Sequence, residues 1–246
     1  VAPNQVIVSS QDNESLQSLK DQYAIRIADD NRQVAAEADI LFLAVKPNIY
    51  NVVIDEIKTT VKEKIVIVTI AAGKSLSDIE ERFGRKLKVV RAMPNTPALV
   101  GEGMTGICAN EVVNVAELTD VKNIFDSFGR SEMVSEYMMD AVTGVSGSSP
   151  ALVFMFIESL ADGAVRGGMP RQQAYKFAAQ AVLGSAKMVL ETGKHPGELK
   201  DMVCSPGGTT IEAVAELEKN GFRSAVISAV QTTIDKSIGM SKPKEN

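Results

Sequence analysis

Short apolar runs alternate with helix-period segments through the first half of the chain, and only helix-period segments follow. Runs rich in Val and Ile read as strands at QVIVSS, DILFLAVKP, KIVIVTIAAG, KVVRAMP and TGICAN. Between them, residues 48–61 place Ile49, Val52, Val53 and Ile57 on one helical face. Residues 114–128 carry a capping signature, Asn114 followed three residues on by Glu117, and run out at Gly129. This alternation is that of βαβ units around a parallel sheet. Beyond Tyr137 the strand signals stop. Helices are predicted over 140–166, 171–192, 209–219 and 224–238, the last with Val226, Val230, Ile234 and Ile238 at i, i+4 spacing. The pattern predicts an α/β domain over residues 1–137 and an all-α domain over 138–246.

The segment ALVFMFIESLADGAV is apolar nearly all round, the mark of a helix buried on most sides. A chain of 246 residues has little room to bury so much by itself. The helical half is therefore expected to form a homodimer interface, with a central helix of a monomeric bundle as the alternative.

Composition narrows the partners. At 45% hydrophobic and 23% charged residues, with a net charge of -5 and interspersed signs, nothing marks a nucleic-acid footprint or a basic membrane-facing patch. A small-molecule partner is expected. Cys108 and Cys204 are far apart and lack the spacing of a disulfide framework or a zinc site, so no metal is expected and the compartment reads as reducing. His195, the only histidine, sits in the turn-rich TGKHPGEL and reads as a loop residue. No apolar run approaches the ~20 residues of a membrane span, and VAPNQVIVSS lacks the layout of a signal peptide. That opening also lacks an initiating Met.

In doubly wound sheets ligands lie beyond the carboxyl ends of the strands. The residues there are Ser9 and Ser10, Lys46 and Pro47, Ala71 to Gly73, and Met93 to Thr96. If QVIVSS is the second strand of a dinucleotide fold, its end carries hydroxyls where an acid would select the unphosphorylated cofactor. The reading therefore leans to NADPH, with Asp12 nearby leaving NADH open. No G-x-G-x-x-G turn occurs in the chain. In the second half, DMVCSPGGTTIEAVAELEKNGF sets Ser205, Pro206, two glycines and two threonines ahead of an amphipathic segment. Spacing alone favours Ser205 or Thr209 as an ordinary helix cap over a ligand turn.

The stretches AVTGVSGSSPALVFMFIESLADGAVRGGMPR and CSPGGTTIEAVAELEKNGFRSAVISAV, with FLAVKP and RAMPNTP, resemble the pyrroline-5-carboxylate reductase family from about Val6 to Ile238. The resemblance implies a Rossmann-like domain followed by a helical dimerisation domain, cytoplasmic localisation, and dimers that in some members build larger rings. It also implies NAD(P)H-dependent reduction of 1-pyrroline-5-carboxylate to proline. Carried over by position, Ser9 and Ser10 match the adenosine-phosphate end, while Asn31, Lys46 and Pro47 match cofactor-side loops. Ala71, Ala72, Gly73 and Asn95 match loops near the nicotinamide, and Ser205, Gly207, Gly208, Thr209 and Thr210 match the substrate loop. Within that reading Thr210 orients the imine. Members of the family open with a strand and glycine-rich turn absent here, so the chain is expected to be incomplete at its N-terminus and to bind NADPH poorly as written. Two rival readings stand beside it. A β-hydroxyacid dehydrogenase needs a lysine in the helix opening the second domain, and residues 146–157 contain none. A non-catalytic oligomeric scaffold or inactive paralogue would also tolerate the missing turn.

Overall fold

Seven strands and eleven α-helices are distributed over two compact units in a computed structural model that describes residues 1–241. The first unit holds Val1–Gly147 together with the described residues from Thr233 on, and the second holds Ser148–Thr232.

In the first unit β1 (Ile7–Val8) and β2 (Arg26–Ile27) form a two-stranded parallel sheet joined through α1 (Asn13–Tyr23). A five-stranded sheet runs in the order β3 (Ile40–Leu43), β4 (Val66–Thr69), β5 (Lys88–Met93), β6 (Gly103–Ala109), β7 (Gly129–Met133). Strands β3, β4 and β5 are parallel, with Leu43 beside Thr69 and Thr69 beside Arg91. Strand β6, however, runs antiparallel to β5 and parallel to β7. Residues 94–102 are too few to carry a crossover helix, so the chain turns back on itself through a 3-10 segment, Thr96–Val100.

Helices α2 (Asn31–Glu37), α3 (Tyr50–Ile57), α4 (Leu76–Phe83) and α5 (Val115–Asp126) complete the layers. The cap expected at Asn114 is formed, with a reciprocal bond to Glu117. The face of α3 differs from the sequence pattern. Tyr50, Ile54 and Ile57 are buried, whereas Ile49 and Val52 are exposed. The helix turns this way because the Tyr50 hydroxyl finds partners inside, donating to the Leu43 carbonyl at 2.8 Å and meeting Thr69 Oγ1 at 2.6 Å. Burying the phenol is then cheap, and its two faces join the aliphatic core formed by Leu41, Leu43, Ile65, Ile67 and Val89. A second core under the other sheet face gathers Val66, Val68, Val90, Ile107 and Phe125.

The helix expected over 140–166 is interrupted. It begins as α6 (Met139–Val142), opens into one π-helical turn at Thr143–Gly147, and resumes as α7 (Ser149–Arg166) with Pro150 in its first turn. The run of small residues in TGVSGSSP weakens the ladder, and Pro150 starts it afresh. In the second unit α7 packs on α8 (Arg171–Thr192) through Ala161, Ala174 and Ala178. Helices α9 (Pro196–Val203), α10 (Thr209–Lys219) and the first half of α11 (Phe222–Ser241) complete it.

Ala161 is the only fully buried residue of α7, and Phe154 at 61% and Phe177 at 67% exposure stand open within the single chain. The sequence called for a helix buried on most sides, and one copy of the chain does not provide that burial. The run-length reading also missed that Glu136–Arg166 is long and apolar enough, by length and composition alone, to cross a membrane. Its polar interruptions are glycines and serines more than charges.

Candidate functional site

Lys46 and Pro47, Ala71 to Gly73, and Asn95 follow the carboxyl ends of β3, β4 and β5. Those three strands are parallel neighbours, so the expected cofactor loops share one sheet edge. Lys46 is exposed ahead of a 3-10 turn begun by Pro47, and among the described residues its ammonium makes no ion pair. Gly73 has φ +70, and a Cβ there would lie 3.0 Å from the Met240 Cβ on α11. Only glycine suits both the backbone and the approach. Asn95 is fully engaged: its amide donates to the Ser146 carbonyl at 3.2 Å and to Ser146 Oγ at 3.3 Å, and its Oδ1 accepts from the Met104 N–H at 2.9 Å. It thus braces the turn after β5 against β6 and the π-helical turn.

Ser9 and Ser10 follow β1. The Ser9 hydroxyl donates to Asn31 Oδ1 at 2.8 Å, so two residues 22 apart in sequence meet. Ser10 Oγ accepts from the Asp12 N–H at 3.1 Å. Asp12 caps α1, and hydrogen bonds from Ser15 hold its carboxyl below the usual aspartate range.

Behind this edge lies a polar framework that sequence patterns did not reveal. Burial pushes the Tyr50 phenol up to about 12, so it acts only as a neutral hydrogen-bonding group. Arg91 on β5 is 5% exposed, lies in register with Thr69 and Cys108, and reaches Glu136 Oε1 at 3.4 Å. The same carboxylate oxygen accepts the Leu76 N–H at 2.7 Å, tying the first turn of α4 and hence the end of the Ala71–Gly73 loop. Burial, then the Glu136 charge, drives the Cys108 thiol up to about 11. A charged residue inside KVVRAMP was the one available signal for this cluster, because an arginine in a central strand requires a partner. Glu136 had none.

In the second unit, Cys204 to Gly208 link α9 to α10. Gly207 has φ +68, and the Gly208 N–H closes a turn onto the Ser205 carbonyl at 3.0 Å. Gly208 itself is the N-cap of α10, without any side-chain cap, and Thr209 and Thr210 begin the helix. Neither Ser205 nor Thr209 caps the helix, so its first N–H groups stay uncovered at the positive end of the dipole. A Cβ on Gly208 would overlap Ser205 Oγ, so the glycine is what admits the hydroxyl to that turn. His195 is accounted for structurally, accepting the Gly197 N–H at its Nδ1 (3.0 Å) as the cap of α9. Among the described residues no group of His, Cys, Asp and Glu is arranged to hold a metal ion.

The donor set fits a dinucleotide. Small residues line the carboxyl ends of three parallel strands, with Lys46 and Pro47 exposed and Ala71 and Gly73 buried, and hydroxyl and amide groups converge just after β1.

Comparison with known proteins agrees. Residues 136–240 match the family model described as pyrroline-5-carboxylate reductase dimerisation, and residues 2–73 match that described as NADP oxidoreductase, coenzyme F420-dependent. The pyrroline-5-carboxylate reductase of Escherichia coli (strain K12) is 54% identical over 242 residues, 98% of this chain and 90% of that protein. That of Synechocystis is 46% identical over 241 residues, with the same shares covered. Among solved structures, the Coxiella burnetii enzyme superposes with a TM-score of 0.90 at 35% identity, covering 98% of this chain and 90% of that one. The Plasmodium falciparum pyrroline carboxylate reductase, solved with NADP bound, gives 0.87 at 34% identity, covering 96% and 87%. With identities of this size over nearly its whole length, the chain belongs to the pyrroline-5-carboxylate reductase family.

Proposed function

We propose that the protein reduces 1-pyrroline-5-carboxylate to proline with NAD(P)H, the last step of proline biosynthesis, with NADPH the preferred donor and NADH usable. The observation that carries this reading is the Ser205–Gly208 turn: an N-terminus of α10 capped only by a glycine, with a serine hydroxyl folded over it. The substrate has two polar groups, a carboxylate and a ring imine. Ser205 and the N–H groups around Thr209 hold the carboxylate, Gly207 and Gly208 let it approach, and the Thr210 hydroxyl reaches the ring nitrogen.

NAD(P)H bound here would supply the hydride for the imine carbon, C2 of the pyrroline ring and C5 of the proline formed, with the C=N π pair becoming the nitrogen lone pair of the amine. A cyclic imine arrives protonated, so its nitrogen already carries the proton the product needs. The chain therefore needs no strong acid near Thr210, and its only histidine is free to cap α9. Positioning carries the catalysis, and well-held geometry is worth roughly 7–11 kcal/mol. Ser9 and Ser10 serve the adenosine-phosphate end, Asn31 (bonded to Ser9), Lys46 and Pro47 the cofactor loops, and Ala71, Ala72, Gly73 and Asn95 the nicotinamide side. The functional division is taken at 137/138, a reading supported by the dimerisation match that starts at residue 136, while the two compact units part at Gly147 and Ser148.

The protein assembles as a homodimer through its helical half, with a larger ring as a further step, and works in the cytoplasm. The exposed apolar side chains of α7 and α8 support a partner copy. A test is cofactor oxidation that depends on pyrroline-5-carboxylate and yields proline in matching amount. Oxidation without proline, or none by the folded protein, refutes the reading.

A further inference from the structure

Glu56, on α3, has no role in the site described above, yet it sets the polarity of the Ser9–Asn31 pair. Its Oε2 accepts from Asn31 Nδ2 at 2.8 Å, and Asn31 Oδ1 accepts from the Ser9 hydroxyl at 2.8 Å. The direction of each bond follows from chemistry. An ionised carboxylate only accepts, so Asn31 must turn its amino group toward Glu56 and its carbonyl toward Ser9. A carbonyl also only accepts, so Ser9 spends its single proton on Asn31 and offers only lone pairs outward. Such an oxygen suits an O–H donor, as on a ribose 2′-hydroxyl, and opposes an ionised 2′-phosphate, which offers acceptors. Ser10, whose oxygen accepts from the Asp12 N–H, keeps its own proton to donate. The neighbouring cation, Arg32, turns its Nε toward the Glu56 carbonyl at 3.4 Å.

We infer that Glu56 is a specificity-determining residue: acting through Asn31, it withholds the Ser9 proton from a 2′-phosphate and keeps the unphosphorylated cofactor competitive. The inference rests on the reading that Ser9 and Asn31 face the adenosine end of the cofactor. To bind a phosphate there, Ser9 must leave Asn31 with an unpaired carbonyl or the Asn31 amide must flip against the carboxylate. Glu56 opposes both, and adds a negative charge nearby. A residue of merely structural importance would weaken both cofactors alike.

The test is Glu56→Gln, with dissociation constants for NADPH and NADH measured by nicotinamide fluorescence in the absence of substrate. A glutamine can donate to the Asn31 carbonyl, allowing the amide to flip and Ser9 to present its proton. The NADH-to-NADPH ratio of dissociation constants is expected to rise about 10-fold to 100-fold, the scale of one hydrogen bond to a charged group. The ratio of kcat/KM values should follow. Glu56→Ala removes the same constraint and should move the ratio in the same direction, which keeps the test decisive if one variant folds poorly. Ser9→Asp serves as the control for location and should shift preference toward NADH. A shift in Ser9→Asp with ratios unchanged in both Glu56 variants overturns the role of Glu56 while sparing the site. An unchanged ratio in all three overturns the placement of Ser9 and the inference with it. Equal weakening of both cofactors in the Glu56 variants leaves a structural role only and also overturns it.

Discussion

Replacing Gly208 by alanine isolates the proposed substrate turn from the fold that carries it. The backbone at Gly208 has φ -80 and ψ 169, ordinary extended geometry that alanine adopts without strain. The added Cβ collides instead with Ser205 Oγ, and next meets the Ser205 carbonyl at 3.2 Å. The hydroxyl is the movable partner, so Ser205 swings out of the turn while the helix stays. Stability should change by less than about 1 kcal/mol, because Ser205 is exposed and one rotamer change costs about that much. Substrate binding should suffer more. A hydrogen bond to a charged carboxylate is worth about 1.5–3 kcal/mol, so kcat/KM for pyrroline-5-carboxylate should fall about 10-fold to 100-fold. Steady-state kinetics at saturating NADPH, beside thermal unfolding, would read both quantities. Gly207→Ala is the useful contrast, since φ +68 strains the backbone by roughly 1–2 kcal/mol while open space awaits its Cβ. If Gly208→Ala keeps full kcat/KM while Ser205→Ala loses it, the geometric argument is wrong.

Other parts of the account make separate demands. Thr210→Ala should lower turnover by about 10-fold to 100-fold, or ~1.4–2.8 kcal/mol, with unfolding unchanged; an undiminished kcat removes Thr210 from the reaction. Glu136→Gln leaves the buried Arg91 charge without its counterion. Denaturant unfolding should then show a loss below the ~3–5 kcal/mol of a wholly buried pair, because Glu136 is 37% exposed. Raising the pH should also destabilise the fold. Burial keeps Cys108 neutral up to about 11 against 9.0 for a free thiol, so the unfolded chain releases its proton first and stability drops as pH climbs through that interval. The two-unit gap corresponds to about 2–3 kcal/mol, and Cys108→Ala should flatten this part of the stability profile.

Apolar rhythm carried the architecture well where burial decided it. The Val- and Ile-rich runs became β3, β4 and β5, and the Asn114 and Glu117 pair capped α5 as expected. What rhythm missed has local causes. Strand β7, GRSEM, is polar because only Ser131 points fully inward, and β2 is two residues long. The direction of β6 came from a short connection, a matter of chain length more than of side chains. Tyr50 displaced Ile49 from the buried face of α3 because its hydroxyl found partners inside, and periodicity does not weigh hydrogen bonds. The glycines and hydroxyls of the Ser205–Thr210 turn were visible in the sequence. That Gly208, and not Ser205 or Thr209, occupies the cap position was visible only in the backbone. The Glu56–Asn31–Ser9 relay joins three elements over 25 and 22 residues, beyond any local pattern.

The central claim is hydride delivery to the imine carbon of pyrroline-5-carboxylate. The direct measurement is mass spectrometry and NMR of proline formed from unlabelled substrate and NADPH deuterated at the transferring position of C4. The account requires one deuterium at C5 of proline, with the ring nitrogen exchanging its hydrogens with solvent. Proline without deuterium at C5, or deuterium at any other carbon, contradicts it.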